Sequence, residues 1–262
     1  MRALHTAATG MMAQELNVQV ISNNIANMRT TGYKRQRAEF QDLLYEHVNR
    51  VGTQTSENGN VLPAGIELGA GVKTAGTPRI MTQGNLLPTN KTYDIAIRGE
   101  GMFRILMPDG RTSYTRDGSF ELDAQGRLVT AQGFVVQPGI TIPQNATSVA
   151  INQEGHVTVT LPGSTATNNI GQIELTRFIN KAGLQAIGDN LFVETPASGP
   201  PQNGTAATEG FGTLLQGNLE QANVEAVTEI SDLIAAQRAY EMNAKVVTAT
   251  DQMLSATSNM MR

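Results

Sequence analysis

The chain has 262 residues, a formal net charge of −4, an aromatic content of 5% and no cysteine. That length supports a substantial core and favours two domains over one. The acidic balance excludes an electrostatic nucleic-acid footprint, which needs clustered Lys and Arg. The missing thiols exclude disulfide staples, thiol catalysis and thiolate metal sites.

Helix breakers divide the sequence. All ten prolines lie between Pro63 and Pro201, and apart from Gly10 and Gly32 every glycine lies between Gly52 and Gly217. The ends are therefore free to run as long helices. At the N-terminus Leu4, Met11, Val18 and Ile25 recur every seven residues, and Ala7, Gln14, Ile21 and Met28 form a second row. These are heptad a and d positions with Gln14 as the one polar intruder, and Leu16 and Val20 widen the stripe. The helix is expected to end around Thr30-Thr31-Gly32, where the glycine suits a left-handed cap. The basic knot Lys34, Arg35, Arg37 is too short for a nucleic-acid site and is expected to follow the helix C-terminus or face solvent. A second short helix is expected from Gln36 to about His47.

Val51 to Leu62 is polar and reads as an exposed loop or extended arm. Residues 70 to 215 then read as short strands separated by turn signals. The expected strands are Thr92–Arg98, Met102–Met107, Ser113–Arg116, Phe120–Leu122, Leu128–Thr130, Val135–Gln137, Val149–Ile151, Val157–Leu161, Gln172–Phe178 and Leu191–Thr195. Asp109-Gly110, Asp117-Gly118, Gln125-Gly126 and Glu154-Gly155 mark turns. This spacing indicates an antiparallel all-β domain. Ala197 to Gly212, rich in Gly, Pro and small polar residues, reads as a second loose stretch, so that the two bracket the β body as hinges.

From about Leu219 to Asn259 a second long helix is expected, roughly 60 Å at 1.5 Å per residue. Its rows are Leu219, Ala226, Leu233, Tyr240, Val247, Leu254, Met261 and Asn223, Ile230, Gln237, Ala244, Asp251, Ser258. Val227, Ile234 and Val246 lie off the seam. The two end helices can pack on each other, but two helices cannot cover both faces of stripes this wide. The remainder points to burial against other copies. Asn23, Asn24 and Asn27 on the first helix, and Gln237, Arg238 and Glu241 on the last, have two readings. They are a frayed end and a solvated face, or they fix helix register as a buried Asn does in coiled coils.

Sites of chemistry find little support. His5, His47 and His156 have no ligand spacing, so no metal or other cofactor is expected. Gly69 to Thr74 fails the phosphate-loop pattern because Val72 separates Gly71 from Lys73. Gly99-Glu100-Gly101 lacks the third glycine of a dinucleotide site. Asp109, Asp117 and Asp123 sit at glycine turns, the ordinary place for Asp. No enzyme is expected. No stretch reaches the ~20 apolar residues of a membrane span, and polar residues interrupt any signal-peptide core in the first 28 positions.

The ends together resemble the axial proteins of the bacterial flagellum, the rod and hook family. At the N-terminus the matching motifs are Ala7-Ala8-Thr9-Gly10-Met11, Asn23-Asn24-Ile25-Ala26-Asn27 and Thr31-Gly32-Tyr33-Lys34-Arg35. At the C-terminus they are Gln216-Gly217-Asn218-Leu219-Glu220, Asn223-Val224 and Gln237-Arg238-Ala239-Tyr240-Glu241-Met242-Asn243. In the middle Asp94 to Phe103 and Tyr114 to Phe120 fit the family's β domain, with Met102 standing where the family usually has Phe. Within the family the chain is nearest to the distal-rod branch. Hook subunits are longer, and proximal rod subunits are the competing branch.

The resemblance implies an α+β fold: a discontinuous coiled-coil helical domain from both termini (1–35 and 216–262), a connecting helix and extended arm (36–70), and an inserted all-β outer domain (71–215). It implies a non-catalytic subunit of a stiff helical tube that carries motor torque across the periplasm to the hook. The assembly core is expected to be Leu4, Met11, Val18, Ile21, Ile25, Ile230, Leu233, Tyr240, Val247 and Leu254. The register contacts are expected to be Asn23, Asn24, Asn27, Gln237, Arg238 and Glu241, and residues 51–62 are expected to touch adjacent subunits. The implied partners are further copies of the chain, the proximal rod proteins, the hook protein, the P-ring and L-ring bushing proteins, the rod cap protein and the flagellar type III export apparatus. Export without a cleaved signal peptide places it in the basal body. Two other classes compete: a β-domain adhesin or carbohydrate module trimerised by its helices, and a β-fold hydrolase. The first needs an exposed aromatic platform and the chain has no Trp; the second needs a nucleophile constellation that the sequence lacks.

Overall fold

The computed structural model describes residues 2–49, 64–163 and 166–260, and the 51–62 arm lies outside them. The fold is mixed α+β. It divides into two compact units, one comprising Met1–Ile25, Gln36–Pro78 and Glu225–Arg262, the other Ala26–Arg35 and Arg79–Val224.

The first unit carries two long helices, α1 (Arg2–Ala26) and α2 (Ala226–Met260). Neither contains proline, and Gly10 is the one glycine in either. Asn24 meets Glu229 while Gly10 lies against Asn243, so the helices run antiparallel. The helix expected from Gln36 to His47 is instead two strands. Glu39–Asp42 pairs with Val72–Gly76, and Tyr45–Asn49 pairs with Ile66–Gly69. Partners remote in sequence override local helix propensity: Arg37 N donates to Pro78 O and Leu43 N to Gly71 O. The Asn24 side chain also clamps the extended backbone at Gln36, accepting from its N–H and donating to its carbonyl, both at 2.9 Å.

α1 stops four residues before the expected Thr30. Asn27 to Gly32 forms turns, and Gly32 takes the left-handed conformation at φ +68°. α2 begins seven residues later than Leu219, because Asn218–Glu220 is a strand paired with Leu86–Pro88.

The second unit is antiparallel β throughout its described pairings. Its largest sheet runs in the order Gln185–Gly188, Leu191–Val193, Thr112–Thr115, Met102–Leu106, Val135–Val136, Leu128–Val129, Glu121–Leu122. Glu174–Arg177 joins Met102–Leu106 and carries Gln202–Thr205 on its other side. A three-stranded sheet, Ser148–Ile151, His156–Thr160 and Thr167–Gln172, closes over the same core. That core holds Ile95, Ile97, Phe103, Ile105, Val157 and Leu175, all at 0% exposure, and Phe103 meets Phe120 edge to face at 5.0 Å. All ten expected strands are present, with ends shifted by up to three residues. Ala197 to Gly212, expected as a loose hinge, is instead packed: Gln202–Thr205 is a paired strand and Ser198 is fully buried. Polar and glycine-rich strands such as this one carry no alternating apolar signal.

Gly118 shows why one turn glycine is essential and another is not. A Cβ there lies 1.7 Å from Ile95 O, so the residue is a site of close backbone approach. Gly133 has φ +86° but open space around it. Gly118→Ala is expected to lose more than ~3 kcal/mol by urea unfolding. Gly133→Ala should lose only the left-handed backbone cost of ~1–2 kcal/mol.

Candidate assembly interface

The packed face of α2 is displaced from its most apolar rows, while that of α1 takes in Ala7 and Ile21 of the expected second row. On α1 the buried positions are Ala7, Ala13, Val20, Ile21 and Asn24. The predicted row Leu4, Met11, Val18, Ile25 is half-buried. On α2 Glu229, Ala236 and Thr250 are buried, and Asn243 is half-buried in the same seven-residue row. Small residues allow close approach, and a Cβ on Gly10 stands 2.9 Å from Asn243 Nδ2. Among the predicted α2 positions Leu233 and Val247 are half-buried, while Ile230 (49%), Tyr240 (44%) and Leu254 (45%) stay exposed.

The polar positions separate as well. Asn24 is buried and joins α1, the Gln36 backbone and Glu229 Oε2 at 3.1 Å. Asn27 lies past the helix and its side chain accepts from Thr30 Oγ1. Asn23, Gln237, Arg238 and Glu241 are exposed. Sequence reasoning missed Glu229. It sits in the first turn of α2, where the helix dipole favours a carboxylate, and an acid at that place is too common to stand out.

The basic knot Lys34, Arg35, Arg37, expected to follow the helix C-terminus or face solvent, is partly interior. Lys34 is 1% exposed. Its Nζ donates to Glu220 Oε1 at 2.5 Å and to Thr82 O at 2.8 Å. Arg116 Nε donates to Glu220 Oε2 at 2.9 Å, and its Nη1 donates to the carbonyls of Gly99 and Gly101. Gly84 N donates to Glu220 Oε1 as well. Burial pushes the Lys34 ammonium below its ordinary pKa, and the Glu220 carboxylate opposes that shift. Arg37 does face solvent, paired with Glu39.

The sequence matches three family profiles. "Flagella basal body rod protein" covers residues 4–34, "Flagellar hook protein FlgE/F/G D1 domain" covers 96–159, and "Flagellar basal body rod FlgEFG protein C-terminal" covers 215–260. It is 55% identical to the flagellar basal-body rod protein FlgG of Caulobacter vibrioides over 260 residues, 99% of each chain. It is 48% identical to that of Borreliella burgdorferi, over 100% of this chain and 99% of the relative, and 35% identical to that of Bacillus subtilis over the full length of both. The chain belongs to the flagellar rod and hook family.

Each matched region supplies one member of the buried ion cluster: Lys34, Arg116 and Glu220. Motifs that stand far apart in the rod and hook sequence pattern thus meet at one carboxylate. Among the described residues no helix is long and apolar enough to cross a membrane.

Asn24→Ala leaves both backbone groups of Gln36 without their amide partner. It should cost about 2 kcal/mol in urea unfolding. Gln19→Ala, on the exposed face of the same helix, should stay within ~0.5 kcal/mol.

Proposed function

We propose that this chain is a structural subunit of the flagellar distal rod, assembling into a stiff helical tube that carries torque to the hook. The observation that carries the reading is the unpartnered apolar surface of α2. Val227 (74%), Met242 (61%), Met253 (62%) and Met260 (87%) stand exposed on a 35-residue helix, about 52 Å long at 1.5 Å per residue. Exposed apolar residues spread along a helix of this length mark an association face. A heterologous head-to-tail contact between such faces generates an open helix rather than a closed ring. The full-length match to FlgG relatives supports the distal branch.

In this reading the terminal helices form a discontinuous coiled-coil domain that lines the tube, with the β domain inserted between them. Leu4, Met11, Val18, Ile25, Ile230, Leu233, Tyr240, Val247 and Leu254 complete their burial against other copies. Asn23, Gln237, Arg238 and Glu241 set alignment between copies, and Asn24 sets it within one. The partners are proximal rod, hook, ring, cap and export components, and export proceeds without cleavage of a signal peptide. A structural role needs no reaction centre.

Met253→Glu together with Leu254→Glu should leave monomer stability within ~1 kcal/mol, since both sites are exposed. Filament growth, followed by sedimentation and electron microscopy, should stop; tubes of normal length from the double variant would overturn the α2 assignment. Residues 51–62 are assigned a stiffening contact between subunits. Their deletion should yield soft or curved filaments, and equally straight ones would remove that role.

A further inference from the structure

The buried ion cluster has unequal stoichiometry, with two cations on one carboxylate. Arg116 belongs to the β body and is fixed there by the Gly99 and Gly101 carbonyls. Lys34 arrives with the segment 31–35, and Glu220 arrives with the segment 216–223.

The two arriving segments depend on different things. Residues 216–223 find their partners in the β body. Thr213–Gln216 pairs with Ile95–Arg98, Asn218–Glu220 pairs with Leu86–Pro88, and Gln221 N donates to Asn85 O. Asn223 Nδ2 donates to the Ile80 carbonyl. Residues 31–35 also touch the body, through Asn190, Arg79, Ile80 and Thr82. Much of their remaining seat is made by the other segment. Gly32 N donates to Glu220 O at 2.8 Å, Arg35 N to Asn223 Oδ1 at 2.7 Å, and Lys34 Nζ to the Glu220 carboxylate.

The two half-assembled states therefore differ sharply. With only 216–223 seated, Glu220 faces Arg116 and the buried charges balance. With only 31–35 seated, Lys34 and Arg116 lie together without the Glu220 carboxylate, and the other acid that acts on Lys34, Glu100, is exposed and paired with Lys181, so two like charges are brought together with poor compensation. The geometry points to an obligatory order of closure: residues 216–223 must seat on the β body before residues 31–35 can, and Lys34 is the group that senses Glu220. Synthesis runs from the N-terminus, so the segment following α1 stays open until nearly the whole chain is available. The second unit thus closes around 31–35 only after its own last segment has been made.

The test uses the full-length chain with hydrogen–deuterium exchange read by mass spectrometry, and limited trypsin digestion. Glu220→Gln should speed exchange across 31–36 by at least about ten-fold and open cleavage after Lys34 and Arg35. The strand Met102–Leu106 should keep wild-type protection. Lys34→Met retains the balanced Arg116–Glu220 pair, so it should loosen 31–36 while 218–223 stay within about three-fold of wild type. Unchanged protection of 31–36 in Glu220→Gln overturns the proposal. So does equal loosening of both segments in Lys34→Met, which also decides the matter if Glu220→Gln loses protection at Met102–Leu106 and so fails to fold.

Discussion

The Glu220 carboxylate, shared between the Lys34 ammonium and the Arg116 guanidinium, is the contact that joins residues 31–35 and 216–223 to the β body of the second unit. Desolvating an ion costs several kcal/mol, and mutual attraction repays this only with good geometry and further hydrogen bonds. Both conditions hold here. Glu220 accepts from Lys34, Arg116 and Gly84, and the two cations spend their other donors on the carbonyls of Thr82, Gly99 and Gly101. Replacing a whole cluster of this sort by apolar side chains is often neutral in stability, whereas removing one member costs about 3–5 kcal/mol. Its contribution is thus specificity of docking: without Glu220 both cations lose their shared carboxylate, whereas loss of either cation leaves Glu220 paired with the other.

The same logic governs the helices by different means. α1 and α2 meet where Gly10 lies against Asn243, and the small residues Ala13 and Ala236 are buried. One polar junction, Asn24 with Glu229 and the Gln36 backbone, defines their alignment. A one-turn slip buries that amide and carboxylate without each other, at a penalty larger than the contact itself gains. On α2 the larger apolar residues Val227, Ile230, Ile234, Tyr240 and Leu254 are left outward, whereas α1 buries Val20 and Ile21. α2 consequently has a packed face set by small and polar residues and an outward face that is apolar.

Different physical signals made different parts legible. Ten of the sixteen described strands of the β body were readable from their Val, Ile, Phe and Tyr residues and from turn signals such as Asp-Gly and Gln-Gly. Thr167–Gln172 and Gln202–Thr205 were not, since Asn, Gln, Gly and Thr carry no such alternation. The Gln36–His47 stretch has a plausible helical composition, and only its pairing with residues 66–76 makes it strand. The heptad rows placed both helices, yet apolar counting chose the outward rows over Glu229, Ala236, Asn243 and Thr250. Small and polar residues are silent in such a count although they decide closeness.

By itself the sequence determined which stretches are helix or strand wherever local period and turn chemistry agree, and its motifs determined the family. The tertiary structure alone decided what Lys34 is for. A lysine in a short basic run reads as solvated, because Lys is costly to bury unless it is paired. Its partner lies 186 positions away, and that partner's other cation a further 104 positions back along the chain. Charge pairing at such separations leaves no periodic trace; it exists only once the chain path has brought the three residues together.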